Sequence, residues 1–316
     1  MSARYLTRFC GLLATSALIL SALILPAIAR SRHQPIEPES AFRTSSDLVL
    51  INARVLDGRG HPLNGLEAGR FHLFEGGVEQ KLVAFNQGDV PVSIVLVFDN
   101  SNSMKGLLGR SREAVSLLLK AANSEDEFAL VEFSERPSLA LNWTSDPSQV
   151  YDYLTHAEPH GTTALLDAIV LGGSVARRAH NPRRVLVVIS DGGDNHSRYG
   201  FAAVEKYLLE AGVEVYALDI MNDFPQPTRT ADGPLLLGGI CWAGGGESVQ
   251  IEQYTKLADV IEQVAREIRS RYILSYQPST LGRPGKYHRV NLKVSPPPGM
   301  GRVFVSWRHG YYEPRD

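Results

Sequence analysis

Cysteine is scarce in this chain, whose 316 residues include only two, Cys10 and Cys241. So low a count excludes a small scaffold held together by many disulfides. A surplus of basic residues is also missing, because 32 Lys and Arg oppose 34 Asp and Glu for a net charge of −2. With no basic excess to neutralise a phosphate backbone, we expect no nucleic-acid partner.

Common short signatures of catalysis are absent as well. The sequence contains no H-E-x-x-H, no G-x-S-x-G and no G-x-x-x-x-G-K-[ST] motif. Its apolar fraction of 44% and charged fraction of 21% are those of a globular protein, which excludes a disordered or collagen-like chain. The length corresponds to about two domains.

The longest apolar run lies at the amino terminus, where residues 9–25 carry no charge. Arg4 and Arg8 precede this run, and the small-x-small sequence at 26–29 follows it. These three parts predict a secretory signal peptide over residues 1–29, and therefore export to the periplasm, the cell envelope or the extracellular space. The alternative is an uncleaved membrane anchor, although the run is short for one.

Removal of the signal peptide would leave Cys241 as the sole cysteine, so no intramolecular disulfide is expected. Cys241 lies in the glycine-rich segment 238–246, which lacks a phosphate-binding lysine and predicts a flexible loop. A half-buried loop thiol is the favoured interpretation, and an intermolecular disulfide remains open. Residues 222–237 precede this segment, and together they form one long predicted loop. This loop either borders a functional face or is a surface insertion.

Both ends of the mature chain show the alternation typical of strands. Residues 30–46 form a polar linker, after which residues 47–90 and 277–316 contain short period-two segments bounded by glycine and proline turns. Each part is too short to bury a core by itself. We predict that they pair into a small discontinuous β-sandwich, into which residues 91–276 are inserted.

The middle of the chain alternates between strands and helices. Continuous apolar runs predict buried strands at 93–98, 128–133, 185–189 and 213–220. Helical periodicity appears at 112–122, 163–178, 201–211 and 254–269. This alternation predicts an α/β fold with a doubly wound, mostly parallel sheet and helices on both faces. Ligands of such sheets bind at the carboxyl ends of the strands.

Oxygen-bearing side chains follow two of the predicted strands. Asp99, Ser101 and Ser103 leave the first strand, and Asp191 follows the strand 185–189. The segment 161–163, Gly-Thr-Thr, opens a predicted helix and offers a hydroxyl from a third loop. Carboxylates and neutral oxygens suit Mg²⁺ or Mn²⁺ better than a thiophilic metal.

These three segments resemble the metal-ion-dependent adhesion site of von Willebrand factor type A domains, with all three parts in order. The resemblance covers residues 92–276 and implies that Asp99, Ser101 and Ser103 form the first loop, Thr163 the second and Asp191 the third. Thr163 is preferred over Thr162 because it directly precedes Ala-Leu, although the choice stays open. The segments 62–66, 71–80, 269–276 and 310–314 further resemble the flanks of bacterial exported VWFA-related domain proteins.

The resemblance implies a non-enzymatic protein-binding module whose metal keeps one coordination position for an Asp or Glu of a partner protein. No small-molecule substrate is expected, and membrane contact is expected only if the signal peptide stays uncleaved. Two alternatives remain: a structural or assembly subunit with a vestigial or stabilising metal, and a metal-assisted hydrolase. Hydrolysis would require a positioned base, for which Asp194 and His196 are candidates, but a solvated turn is the favoured interpretation of both.

Overall fold

Strands and helices alternate through most of the computed structural model, which describes residues 48–88, 90–221, 232–252, 256–278 and 285–313. The strands are β1 Val49–Leu56, β2 Phe71–Glu75, β3 Val78–Gln80, β4 Leu82–Gln87, β5 Val92–Asp99, β6 Glu127–Phe133, β7 Pro137–Thr144, β8 Arg183–Ser190, β9 Glu214–Ile220, β10 Ser248–Ile251, β11 Tyr272–Tyr276, β12 Tyr287–Val294, β13 Phe304–Trp307 and β14 Gly310–Tyr312. The α-helices are α1 Leu108–Lys120, α2 Pro147–Thr155, α3 Leu165–Ala176, α4 Phe201–Ala211, α5 Gly233–Gly244 and α6 Leu257–Arg269.

The predicted signal peptide, 1–29, and the linker, 30–46, lie outside the described residues. Within the described part of the chain, no helix combines the length and the apolar character needed to cross a bilayer.

A six-stranded sheet forms the centre of the α/β part, in the order β10-β9-β8-β5-β6-β7. All neighbouring strands are parallel except β6 and β7, which pair antiparallel at one edge. Every residue of β5 is buried. Its side chains alternate between two apolar cores, with Ile94, Leu96 and Phe98 in one and Val95 and Val97 in the other. The continuous apolar run of this strand therefore reflects burial on both faces.

Each face of the central sheet is covered by helices. Apolar residues of α1, α2 and α6 pack in the first core, and those of α3, α4 and α5 pack in the second. This arrangement confirms the predicted α/β fold with a mostly parallel, doubly wound sheet. The predicted helix 201–211 matches α4 in both bounds and the predicted helix 254–269 matches the end of α6, whereas the other predicted ends differ by two to four residues.

Strands from the two ends of the chain form two further sheets. Their orders are β13-β1-β11-β4 and β14-β12-β2-β3, and their paired strands run antiparallel. Both sheets contribute to a third apolar core, which contains Ile51 of β1 and Leu73 of β2. Strand β11 lies within the range 91–276 predicted for the inserted domain, yet it pairs with β1 and β4. The α/β part therefore ends before Tyr272.

The glycine-rich segment 238–246 was expected to be a flexible loop, and this expectation is wrong because most of it belongs to α5. Leu237, Ile240 and Cys241 share one buried helical face, which outweighs the low helix propensity of glycine. At Gly244, an added Cβ would approach the Val215 side chain to 2.7 Å, so glycine permits close packing on β9. Cys241 is a free, buried helix thiol whose pKa is raised by burial, rather than a half-buried loop thiol.

Buried charges connect the central sheet to the sheets built from the chain ends. Glu214, the first residue of β9, lies 3.4 Å from Nε of Arg271 and 3.5 Å from NH2 of Arg183. Asn52 of β1 donates a hydrogen bond of 2.6 Å to the same carboxylate. The side chains of Arg271 and Glu214 are only 1% and 7% exposed, so each charge depends on the others for compensation.

We expect Glu214→Gln to lower the free energy of unfolding by about 3 kcal/mol, because it leaves two buried guanidinium groups without their carboxylate. Urea denaturation of the two proteins measures this difference. The matched control is Glu262→Gln, which removes an exposed partner of Arg266 on α6 and should change stability little. Equal effects of the two substitutions would contradict a central role for the buried network.

Candidate metal centre

The predicted site residues lie at one edge of the central sheet, on three adjacent loops. Strand β5 ends at Asp99 and β8 ends at Ser190, directly before Asp191. The two strands pair in parallel with Phe98 beside Ile189, so both acidic residues leave the sheet at the same edge. The third loop comes immediately before α3 and contains Thr163.

Asp99 is completely buried and accepts hydrogen bonds through both carboxylate oxygens. The N–H of Ser101 donates to Oδ1 at 2.9 Å, and the hydroxyl of Ser190 donates to Oδ2 at 2.6 Å. Burial raises the pKa of Asp99 to about 7, and the negative charge of Asp191 acts in the same direction. A nearby cation would favour the ionised carboxylate.

Hydroxyl groups bring the first and third loops into direct contact. The Oγ atoms of Ser101 and Ser103 lie 3.0 Å apart, and the Ser103 hydroxyl donates to Oδ1 of Asp191 at 3.2 Å. The N–H of Gly193 donates to the same oxygen at 3.2 Å. Four of the five predicted ligands are thus joined by hydrogen bonds, either directly or through one another.

Thr163 and not Thr162 faces this cluster. Thr163 is 3% exposed, whereas Thr162 is exposed to solvent. A Cβ placed on Gly193 would lie 4.0 Å from Oγ1 of Thr163 and 3.4 Å from Oδ1 of Asp191, so these two oxygens border the same point. The geometry therefore favours Thr163 as the member of the cluster from the second loop.

Backbone hydrogen bonds hold the three loops together. Asn102 donates to the carbonyl of Gly161 at 3.2 Å, and His160 donates to that of Asn100 at 2.8 Å. Asn195, in the third loop, donates through its N–H to the Thr163 carbonyl and accepts from the Thr163 N–H through Oδ1, both at 2.9 Å. These contacts fix the positions of side chains that are far apart in sequence.

Sequence reasoning missed two residues that position the cluster, Ser190 and Asn195. Ser190 is the last residue of β8, and nothing in the local sequence indicates that its hydroxyl contacts Asp99. In the sequence, Asn195 is only one of several polar residues in the turn after Asp191, so its contact with Thr163 could not be predicted. Both roles depend on loops that pack together across the sheet edge, which no local pattern encodes.

One carboxylate oxygen of the cluster has no hydrogen-bond donor. Oδ2 of Asp191 is buried, and no described residue donates to it. A buried carboxylate oxygen without a donor is costly unless a cation compensates it. The surrounding groups are carboxylate and hydroxyl oxygens, which fit Mg²⁺ or Mn²⁺. The described residues contain no cluster of three or more His, Cys, Asp or Glu side chains suited to a metal, and the candidate site has only two carboxylates.

The candidate bases named from sequence lie beside the cluster, not within it. His196 is exposed, and its backbone N–H donates to the Thr163 carbonyl at 3.0 Å. Burial raises the pKa of Asp194, and hydrogen bonding by Ser197 partly offsets this effect. No described hydrogen bond joins either side chain to the five clustered residues.

The start of α5 packs directly on the third loop. Gly192 has a φ of +81°, and a Cβ on this residue would lie 2.6 Å from the carbonyl carbon of Gly233. A Cβ on Gly233 would lie 3.1 Å from the carbonyl oxygen of Asp191. Residues 222–231 of the predicted loop lie outside the described residues, but the helix that follows them borders the candidate metal face.

Residues 94–193 match the family model of the von Willebrand factor type A domain. This stretch runs from β5 to the third loop and contains all five predicted metal ligands. The match agrees with the resemblance that the three sequence segments predicted.

Similarity to known proteins extends beyond the matched segment. Inter-alpha-trypsin inhibitor heavy chain H2 from Sus scrofa is 25% identical over 218 residues, which cover 63% of this chain and 22% of that protein. The chain thus spans about a fifth of the length of this curated relative.

Two solved structures align with large parts of this chain. A von Willebrand factor type A protein from Catenulispora acidiphila aligns with a TM-score of 0.50 and 13% identity, over 79% of this chain and 75% of that one. The conserved hypothetical protein BatB from Bacteroides thetaiotaomicron aligns with a TM-score of 0.47 and 20% identity, over 56% of this chain and 98% of that one.

We expect Gly192→Ala to destabilise the protein far more than Gly60→Ala. Both glycines have a left-handed φ, which costs an alanine about 1 kcal/mol, but only the Cβ at Gly192 collides with backbone. Gly60 has no atom within 4 Å of that position. Chemical denaturation should give a loss of about 3 kcal/mol or more for Gly192→Ala. Similar losses for both variants would show that contact with α5 does not constrain the loop.

Proposed function

We propose that this chain, which contains a von Willebrand factor type A domain, is an exported protein-binding module that depends on a divalent metal. Asp99, Ser101, Ser103, Thr163 and Asp191 would hold Mg²⁺ or Mn²⁺ at the edge of the central sheet. A protein partner would present an Asp or Glu side chain to this ion. Export to the periplasm, the cell envelope or the extracellular space follows from the predicted signal peptide at residues 1–29.

The observation that carries the proposal is the buried Oδ2 atom of Asp191, which lacks a hydrogen-bond donor among the described residues. Its other oxygen accepts from Ser103 and Gly193, so Asp191 is held in place while Oδ2 remains available. Hydrogen bonds that fix a ligating oxygen while leaving its neighbour free are what a metal site requires.

The charge of the cluster supports recognition of a carboxylate. Asp99 and Asp191 supply two negative charges, and the three hydroxyls supply none. A bound divalent ion supplies the positive charge and the open coordination position that attract the acidic side chain of the partner. The two aspartates neutralise the ion, and the neutral hydroxyls leave it electrophilic enough to accept one more oxygen ligand.

We further propose that the site binds without catalysing a reaction. The side chain of His196 is exposed to solvent, and the backbone of this residue helps to hold the second loop. Asp194 lies beside Ser197 in the same turn. Both residues therefore belong to the turn that follows Asp191 and supports its loop.

The parts on either side of the α/β fold would serve as a platform. We propose that residues 47–90 and 277–316 form one discontinuous β-domain and that the metal-site domain is inserted between them. Since β11 pairs with β1 and β4, we extend the C-terminal part of this platform to include β11, which begins at Tyr272. The platform lies at the sheet end opposite the metal loops, because its buried contact is with the first residue of β9.

Metal binding is tested by isothermal calorimetry on the mature protein, with Mg²⁺ and Mn²⁺ in separate titrations. We expect wild-type protein to bind, and Asp191→Asn to weaken binding at least about tenfold because a charged ligand is lost. Ser103→Ala should also weaken binding. Ser111→Ala is the matched control, since the hydroxyl of this buried serine donates to the carbonyl of Leu107, the residue directly before α1, and to no predicted metal ligand. Absence of binding by the wild-type protein would refute the proposal.

Partner capture is tested with the immobilised protein and a native envelope extract, in buffer with Mg²⁺ or with chelator. We expect bound partner with Mg²⁺ and its loss with chelator, Asp99→Asn or Ser103→Ala, because the partner carboxylate requires the ion. The Ser111→Ala protein should retain capture. Capture that survives both chelator and Asp99→Asn would show that the metal is not the recognition element.

A further inference from the structure

A cleft with a volume of about 710 Å³ lies between the central sheet and the strands from the chain ends. One side is lined by β1 and β11, and the other by the starts of β8 and β9 and the end of α4. The volume is in the range typical of small-molecule sites, about 300–1,000 Å³. Several charged side chains line it, which distinguishes it from a packing defect.

This cleft is separate from the metal centre. Arg183, one of its lining residues, begins β8, whereas Asp191 follows the end of the same strand. At about 3.3 Å per residue, the length of the strand separates the two sites by about 23 Å. A ligand in the cleft would not contact the candidate metal ligands.

Three arginines line the cleft, and their hydrogen bonding is incomplete. Arg183 has a side chain that is 1% exposed, and its Nε atom is buried without a hydrogen-bond partner among the described residues. The same holds for Nε of Arg184. Arg308 donates only to carbonyl oxygens, those of Leu209 and Leu50, each at 3.3 Å.

Each carboxylate that lines the cleft already has an ion-pair partner. Glu214 is shared by Arg183, Arg271 and Asn52. Glu210 lies 3.9 Å from Lys206, and Glu313 lies 2.9 Å from His288.

Arg184 and Arg308 consequently have no carboxylate within ion-pair distance in the described part of the chain. Burial lowers the pKa of Arg308, and the nearby charge of Glu214 offsets this effect only in part. The cleft therefore offers two positive charges that a ligand could neutralise.

We propose that this cleft binds a small organic carboxylate with an apolar body. Guanidinium groups recognise carboxylates through paired charge-assisted hydrogen bonds. The apolar walls, which include Leu50, Val213 and Ile273, favour an uncharged body next to that head group. A monoanion fits better than a phosphate dianion, because three glutamates also line the cleft and would repel additional negative charge. The ligand would occupy a site apart from the metal centre that we propose for the protein partner.

Octanoate and octanamide are suitable probes because they differ only in the charge of the head group. Calorimetry or ligand-observed NMR on the mature protein should detect octanoate binding and at least about tenfold weaker binding of octanamide. Arg184→Gln should weaken octanoate binding about tenfold as well. Arg178→Gln, at an exposed position in the α3–β8 connection that does not line the cleft, is the control and should leave binding unchanged.

Arg308→Gln is informative if its thermal unfolding matches that of wild type, since this arginine also joins α4 to β1. Weaker octanoate binding in that variant would support the proposal. If Arg308→Gln is unfolded, octanoate binding by Arg184→Gln alone tests the proposal. Octanoate that fails to bind at about 10 mM, binds no better than octanamide, or binds Arg184→Gln as tightly as wild type would overturn the proposal.

Discussion

The parallel pairing of β5 with β8 is the constraint on which the rest of this protein depends. Both strands are buried on both faces, so their register is fixed by two apolar cores at once. That register places Asp99 beside Ser190, whose hydroxyl donates to the Asp99 carboxylate at 2.6 Å. Asp191 then follows at the same edge. A shift of one residue would turn the side chains to opposite faces and separate the two carboxylates.

Charged residues also lie at the opposite edge of the central sheet, where β8 and β9 begin. Arg183 begins β8 and Glu214 begins β9, and together with Arg271 they form the buried contact with the sheets built from the chain ends. Charged groups thus concentrate at both edges of the sheet, while its interior is apolar. Hydrogen-bonded oxygens form one edge and guanidinium–carboxylate pairs the other, and the two ligands that we propose, a cation at the loops and an anion in the cleft, would bind at opposite ends of the sheet.

Much of the α/β part could be predicted because its signals are local. The apolar run 93–98 indicated a doubly buried strand, and the periodicity of 257–268 indicated a helix with one buried face. Helix α5 was missed because its glycines lower helix propensity, whereas packing on β9 and on the third loop requires small residues there. The pairing of β11 with β1 was not foreseen, because it is a contact across more than 200 residues that no local pattern shows.

The sequence by itself determined the side chains that we propose as metal ligands: two aspartates and three hydroxyls, each placed beside the end of a strand or the start of a helix. Residue type and strand periodicity are properties of neighbours along the chain, so they can be read without a fold. Only the tertiary structure decided that Thr163 faces the cluster, that Ser190 and Asn195 position it, and that Oδ2 of Asp191 is buried without a donor. These facts arise where separate loops meet across a sheet edge, and the distances between their atoms depend on how the whole sheet packs.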